Sequence, residues 1–347
     1  MTRGDRRHRP TRRRFAISGM GLLAAALASS AGPAAAQGRP IVIGYQEQPD
    51  WLLFVARDLK LFEKAGLQPT FVKFSRGPQM VEEMRAGRLD LASVGLVAFL
   101  IGLSQGVDWT MIGINPEGAY GQGLVVRKDS IIRTPTDLKG KRVGLLVGAN
   151  AQFGFLMMLR QHGIRLDQVT LVNMDPEAQL QALEARRIDA AMVQEPWMHR
   201  MIQNANARIV ETEGNYGIYT NVDCYSVRRD WLKANRDTAL RFLRALVHAN
   251  DVISKDQRVA HQAWAREVGL RNAMAEAIFD VVPPPLIYEW TNPRYTYSLV
   301  KGAPLYHRLG VLANYMIRYG IISQPVELDD AMDMSLIAEV LKGKKPP

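Results

Sequence analysis

The groups of this chain that could do chemistry gather where apolar, strand-like runs give way to helices. Glu195 stands between such a run and Pro196, with Trp197 behind it. From that place its carboxylate can accept from a ligand amine, pair with an arginine brought from elsewhere, or cap the helix that Pro196 begins. Trp51, Tyr120, Trp197 and Tyr216 each follow or sit among Gly, Pro, Asp or Asn, the setting of a loop or helix start. A ring there stacks on a planar ligand, walls off an alkyl tail, or covers the edge of its own domain. Helix starts at Leu96 and Asn150 leave backbone N–H groups without intrahelical partners. Facing each other across a cleft, they would hold sulfonate, carboxylate or phosphate oxygens without a basic side chain. Capped by side chains or water, they would hold nothing.

Catalysis finds no comparable constellation. His162, His199, His248, His261 and His307 lack the close spacing of metal ligands, and no cysteine lies near them. There is no Walker A pattern and no dinucleotide fingerprint, and the glycines at 118, 121 and 123 precede no helix of that type. Cys224 is the only cysteine. It lies in an alternating, strand-like run and reads as a buried structural thiol. No catalytic residue, metal or cofactor is expected.

The elements that must position these groups follow a repeated rhythm. Strands are predicted over 40–46, 70–74 and 89–94, with helices over 51–64, 77–85 and 96–103 between and after them. Short strands follow over 109–114 and 123–126. The rhythm then restarts, with strands over 142–146, 169–172, 188–193 and 208–211 and helices over 152–162, 177–185 and from Pro196 onward. Two segments a hundred residues apart nearly repeat: a helix end, a basic turn, then Leu89-Asp90-Leu91 in one copy and Ile188-Asp189-Ala190 in the other. Asp90 and Asp189 read as turn or inter-element hydrogen-bonding residues, outside any site. After Arg229 the chain is mostly helical, broken by Pro283-Pro284-Pro285. Such helices pack as a return segment on the first α/β unit, or form a separate helical domain.

The expected fold is α/β and two-lobed, with two hinge crossings near 124–128 and 222–227. Residues 37–125 and 226–347 form lobe 1 in this reading, and 126–225 form lobe 2. Residues 1–36 read as an export signal: Arg12-Arg13-Arg14-Phe15 precedes a weakly apolar run, and Ala34-Ala35-Ala36 fits a cleavage site. The arginines match a twin-arginine address, although ordinary Sec export would use them too. The segment holds seven Arg and one Asp, so its removal lowers the net charge from +10 to +4. A mixed surface of that charge argues against nucleic-acid binding.

In order and spacing these segments resemble the periplasmic substrate-binding proteins of ABC importers, in the branch for nitrate, taurine, alkanesulfonates and thiamine-precursor pyrimidines. The resemblance rests on PIVIGYQ, LFVARDLKLFEKAGL, AGRLDLASVG, TPTDLKGKRVGLLVG, RRIDAAMVQEPW and NVDCYSVRRDWL, together with the export segment. It implies the type II periplasmic binding fold, with ligand held between two lobes. It also implies contacts from Gln46, Glu47, Asp50 and Trp51 after the first strand, from Ser93, Val94 and Gly95, and from Tyr120 and Gly121. The second lobe would add Asn150, Ala151 and Gln152, Glu195 and Trp197, with Asn215 and Tyr216 as further contacts. The turn at Gly148-Ala149-Asn150 departs from the serine-bearing turn of many sulfonate and nitrate binders. These candidates also include acids but no Arg or Lys, which weakens the case for a purely anionic ligand.

The function expected is a monomeric periplasmic solute-binding component of an ABC transporter. It would capture a sulfonate, a taurine-like compound or a pyrimidine-type heterocycle and deliver it to an inner-membrane permease, the precursor having engaged the export machinery. The alternatives are an enzyme acting on a pyrimidine-like or aromatic substrate and a ligand sensor with the same cleft.

Overall fold

The computed structural model describes residues 40–347 except 117, 217–220, 283–285 and 299. The expected export signal and the proline break at 283–285 lie outside the described residues. Among those described, ten strands form two five-stranded mixed sheets. The first runs β2 (Thr70–Lys73), β1 (Val42–Tyr45), β3 (Leu91–Gly95), β10 (Val222–Arg228), β4 (Trp109–Pro116). The second runs β7 (Thr170–Asn173), β6 (Arg142–Leu145), β8 (Ala190–Gln194), β5 (Gln122–Arg127), β9 (Ala207–Thr212).

Each sheet is a parallel trio beside one strand that runs antiparallel to both its neighbours, β10 in the first and β5 in the second. The chain changes sheet within residues 117–121 and 213–221, a little before the expected divisions after 125 and 225. β5 therefore lies wholly in the second sheet and β10 wholly in the first. We call the elements around each sheet the first and second halves.

The sequence repeat is the scaffold of both trios. Asp90 Oδ2 accepts the Val42 N–H at 2.9 Å, and Asp189 Oδ2 accepts the Arg142 N–H at 2.8 Å. Each acid thus ties the start of its half's central strand to the turn before the third strand. The turns match as well: Gly87 has φ 70° and Arg186 φ 59°. Both end a helix in the left-handed region, at no cost for glycine and some strain for arginine.

The helices on the first sheet are α1 (Trp51–Asp58), α2 (Leu61–Lys64), α3 (Gly77–Arg85) and α4 (Leu96–Ser104). The second sheet carries α5 (Asn150–Gln161), α6 (Pro176–Glu184) and α7 (Trp197–Asn204). The single helix expected over 51–64 is two, because Lys60 adopts φ 55° and breaks the hydrogen-bond ladder. Neither Gly nor Pro marks that break. Alternation sorts β5 between two small cores: Leu124 and Val126 pack with Phe155 on one face, and Val125 with Leu183 and Met198 on the other.

The C-terminal helices α8 (Arg229–Ala234), α9 (Arg236–Lys255), α10 (Arg258–Val268), α11 (Asn272–Val281), α12 (Pro304–Arg318) and α13 (Ser335–Leu341) share one core with the first sheet. Phe62 stacks on Phe242 with centroids 5.4 Å apart, and Trp51 meets Trp264 edge-on at 5.2 Å. The chain near its end also pairs with β4, where Met111 N–H donates to the Ala331 carbonyl at 2.8 Å. A separate helical domain, the alternative left open by sequence, is thereby replaced by the return segment. Among the described residues, no helix is long and apolar enough to cross a membrane.

Candidate functional site

The C-terminal ends of β1, β2, β3, β6 and β8 open onto one cavity of about 920 Å³, walled by both halves. Strand ends of an α/β sheet are where backbone and loop side chains are free to meet a ligand. Of the expected contacts, Gln46, Glu47, Gly95, Asn150, Ala151, Glu195 and Trp197 line it.

Other expected contacts stand behind the wall. Asp50 is 3 % exposed and caps α1, its Oδ1 accepting from Leu53 N–H at 3.1 Å. The same carboxylate accepts from the Tyr225 hydroxyl at 2.5 Å and the Ser93 hydroxyl at 2.7 Å. Burial pushes its pKa up to about 6, opposed by those hydrogen bonds. Trp51 is fully buried and donates to the Val282 carbonyl at 2.7 Å, and Val94 is core. Helix α1 turns its first residue inward because Asp50 anchors the loop to Ser93 and Tyr225. Asp50, Trp51, Ser93 and Val94 thus shape the loop and do not line the cavity.

Four more also lie off the wall. Tyr120 is 52 % exposed with its ring against Gly214. Gly121 is buried, its carbonyl accepting the Glu195 N–H at 2.9 Å. Gln152 folds back, its Oε1 accepting the Gly148 N–H at 2.9 Å. Asn215 is exposed and bonds to Glu211 and Thr212 at the end of the preceding strand, β9. The Tyr216 side chain lies outside the described residues.

Charge is arranged differently from the expectation. Two cations that sequence reasoning missed, Lys73 and Arg200, line the cavity. Arg200 Nη1 donates to Glu47 Oε1 at 2.5 Å, and its Nη2 donates to the carbonyl of Val268, the last residue of α10, at 2.8 Å. Its guanidinium also sits 4.5 Å over the Trp197 ring. Lys73 Nζ lies 3.3 Å from both Glu47 and Glu267. A second ion pair joins the halves at 3.4 Å, from Arg76 before α3 to Asp175 before α6. Arg200 was findable, since it stands one helical turn beyond Trp197 on the same face. Lys73 was findable as the end of a parallel strand.

The ion pair across the halves thus joins Glu47 of the first half to Arg200, a residue of Glu195's own half. Glu195, 1 % exposed, instead accepts from His199 in the first turn of α7, from Nδ1 at 2.6 Å and from the backbone N–H at 3.3 Å. That hydrogen bond raises the His199 pKa against the opposing effect of burial. Carboxylates are numerous: Glu82, Glu83, Asp175, Glu177 and Asp223 line the cavity beside Glu47 and Glu195.

The two helix starts do face each other, at Gly95 and Asn150. They are not equivalent. The Val97 N–H, in the first turn of α4, donates to Asn150 Oδ1 at 3.2 Å. Asn150 Nδ2 donates onward to the Val222 carbonyl at 3.1 Å and to Asp223 Oδ1 at 3.3 Å. The first turn of α5 faces the cavity with Asn150 and Ala151 on its lining. What the arrangement can do is hold an anionic group at a helix start beside two cations, under an aromatic wall at Trp197. Cys224 is fully buried, its thiol donating to the Val94 carbonyl, and burial pushes its pKa up. Among the described residues, no group of three or more His, Cys, Asp or Glu could hold a metal ion.

A family model described as the NMT1-like family matches residues 35–268. A Bacillus subtilis (strain 168) protein assigned to aliphatic-sulfonate binding is 29% identical over 183 residues, 53% of this chain and 55% of that one. The taurine-binding periplasmic protein of Escherichia coli (strain K12) is 26% identical over 237 residues, 68% of this chain and 72% of that one. The chain thus spans about half of the first relative and nearly three quarters of the second. Among solved structures, the alkanesulfonate-binding protein SsuA of Xanthomonas axonopodis pv. citri, bound to MOPS, matches with TM-score 0.74 and 23% identity. That match covers 86% of this chain and 99% of the other. It bears out the two-sheet α/β architecture.

Proposed function

This chain belongs to the NMT1-like family, and from that membership we propose that it is the exported solute-binding protein of an ABC importer. It works in the periplasm on a small organic anion, with organic sulfonates as the first class to test. The observation that carries this reading is the cavity of about 920 Å³ walled by both halves, with a helix start, Lys73 and Arg200 on its lining. Ligand contacts from both sides are the physical basis of capture by closure, since only the arrangement with the halves together makes all of them. No bond in the ligand needs to change.

In this reading the lobes divide where the chain changes sheet. The wall comprises Gln46, Glu47, Gly95, Asn150, Ala151, Glu195 and Trp197, with Lys73 and Arg200 added. The many carboxylates favour an anion that also carries N–H donors, as an aminosulfonate does. A cognate inner-membrane permease receives the ligand, and Arg12-Arg13-Arg14-Phe15 supports twin-arginine export of a protein that acts as a monomer.

Calorimetry with taurine, ethanesulfonate and MOPS tests the reading, followed by mass spectrometry of the recovered ligand. At least one should bind and be recovered unchanged, and ligand should shrink the scattering radius without changing mass. Failure of all three to bind would remove the sulfonate class, and a chemically altered ligand would replace transport by catalysis.

A further inference from the structure

One group on the cleft floor stands in an unusual place. Asn150 belongs to the second half, yet its carboxamide is spent entirely on the first. Its oxygen takes the Val97 N–H at 3.2 Å, while its amide reaches the Val222 carbonyl and the Asp223 carboxylate at 3.1 and 3.3 Å. These donor and acceptor roles fix which end of the carboxamide is which: the oxygen meets an N–H, and the NH₂ meets two acceptors. The residue is 2 % exposed. A Cβ built on Gly95 would lie 2.8 Å from Asn150 Oδ1, so a glycine at the α4 start admits the oxygen at this approach. Gly95 has φ −60°, so its absent side chain answers a need for space and not for unusual backbone.

We propose that Asn150 is the specificity-determining residue of the cleft, because its carboxamide oxygen occupies the anion position at the start of α4. This rests on the binding reading above. An anion entering between the two helix starts meets donors of α5 on one side and a filled position on the other. Compact anions, which have nothing but their oxygens to offer, lose the Val97 N–H and the approach to the α4 start. A larger organic anion compensates through the rest of the cavity, towards Trp197, Arg200 and the carboxylates beyond. A shorter residue at 150 would reopen the α4 start to an anion.

Methanesulfonate and MOPS, titrated into the wild type and Asn150→Ser, test this. The variant should bind methanesulfonate at least tenfold tighter than the wild type, with a smaller change for MOPS. Equal methanesulfonate affinity in a variant that still melts cooperatively would overturn the proposal. Hydrogen exchange at the Val97 amide of the ligand-free wild type supplies a second measurement that needs no variant. Protection is expected, and free exchange at Val97 would equally overturn the assignment. A wild type that binds neither sulfonate while protecting Val97 refutes the ligand class and leaves the Asn150 contact standing.

Discussion

Arg200→Ala removes a charged link between the halves, and its cost can be worked from the geometry. Three interactions end at the guanidinium. The contact with the Trp197 ring lies within α7, survives any separation of the halves, and so does not count. The charge-assisted bond to the Val268 carbonyl is worth about 1.5 kcal/mol. The Glu47 pair has side chains 17 % and 18 % exposed, between the exposed and buried limits, so about 1 kcal/mol is assigned to it. Glu47 keeps Lys73 at 3.3 Å in the variant and is not left as an uncompensated charge, which holds the cost down. The total of about 2–3 kcal/mol corresponds to a roughly 30- to 150-fold shift away from the arrangement with the halves in contact. If capture requires that arrangement, the ligand Kd rises by the same factor. Calorimetry on Arg200→Ala, Glu47→Gln and the double variant measures both the shift and the coupling, with about 1 kcal/mol expected between the two residues. A Kd within threefold of wild type, or a coupling below about 0.3 kcal/mol, would refute a role for the Arg200–Glu47 pair in holding the halves together.

Gly154→Ala places a Cβ 1.6 Å from the Glu213 carboxylate and 2.6 Å from the Gln122 amide, both fully buried. The clash outweighs alanine's better helix propensity, and a net loss of about 2 kcal/mol in a denaturant titration is expected; unchanged stability would mean that Glu213 has room to move. Trp197→Ala should weaken ligand binding at least tenfold, which is about 1.4 kcal/mol, while the melting temperature changes little because the ring stands on the cavity wall. Equal binding by that variant removes Trp197 from the site. His199 has a raised pKa through Glu195, so the stability this pair supplies is full below about 6.5 and is lost as pH rises through the folded value. Above it the positive charge of His199 beside the cavity wall is gone, and affinity for an anion should fall with rising pH. His199→Gln should flatten that profile, and an unchanged slope would place its origin elsewhere.

Much of the scaffold was legible because it is written in local pattern. The strand–helix rhythm, the twin turns before Asp90 and Asp189 and the helical return segment all follow from spacings within a few residues. The break at Lys60 was not, since a lysine in the left-handed region carries no compositional mark. The site was legible by position more than by residue. Glu47, Gly95, Asn150 and Trp197, named by the family resemblance, stand on the cavity wall, whereas Asp50 and Ser93, named by the same resemblance, turn inward to hold each other and Trp51 turns inward onto the Val282 carbonyl.

The sequence by itself determined which segments become strands and helices, that they repeat, and which strand ends could meet a ligand. Tertiary structure alone decided which groups arrive there and what they already hold. Glu47 and Arg200 are 153 positions apart, and Asn150 lies 53 from Val97, the amide it caps. The physical reason is range. Backbone hydrogen bonding and side-chain periodicity act over a few residues, but the partner of a cleft residue is chosen only when two separately folded sheets are brought together.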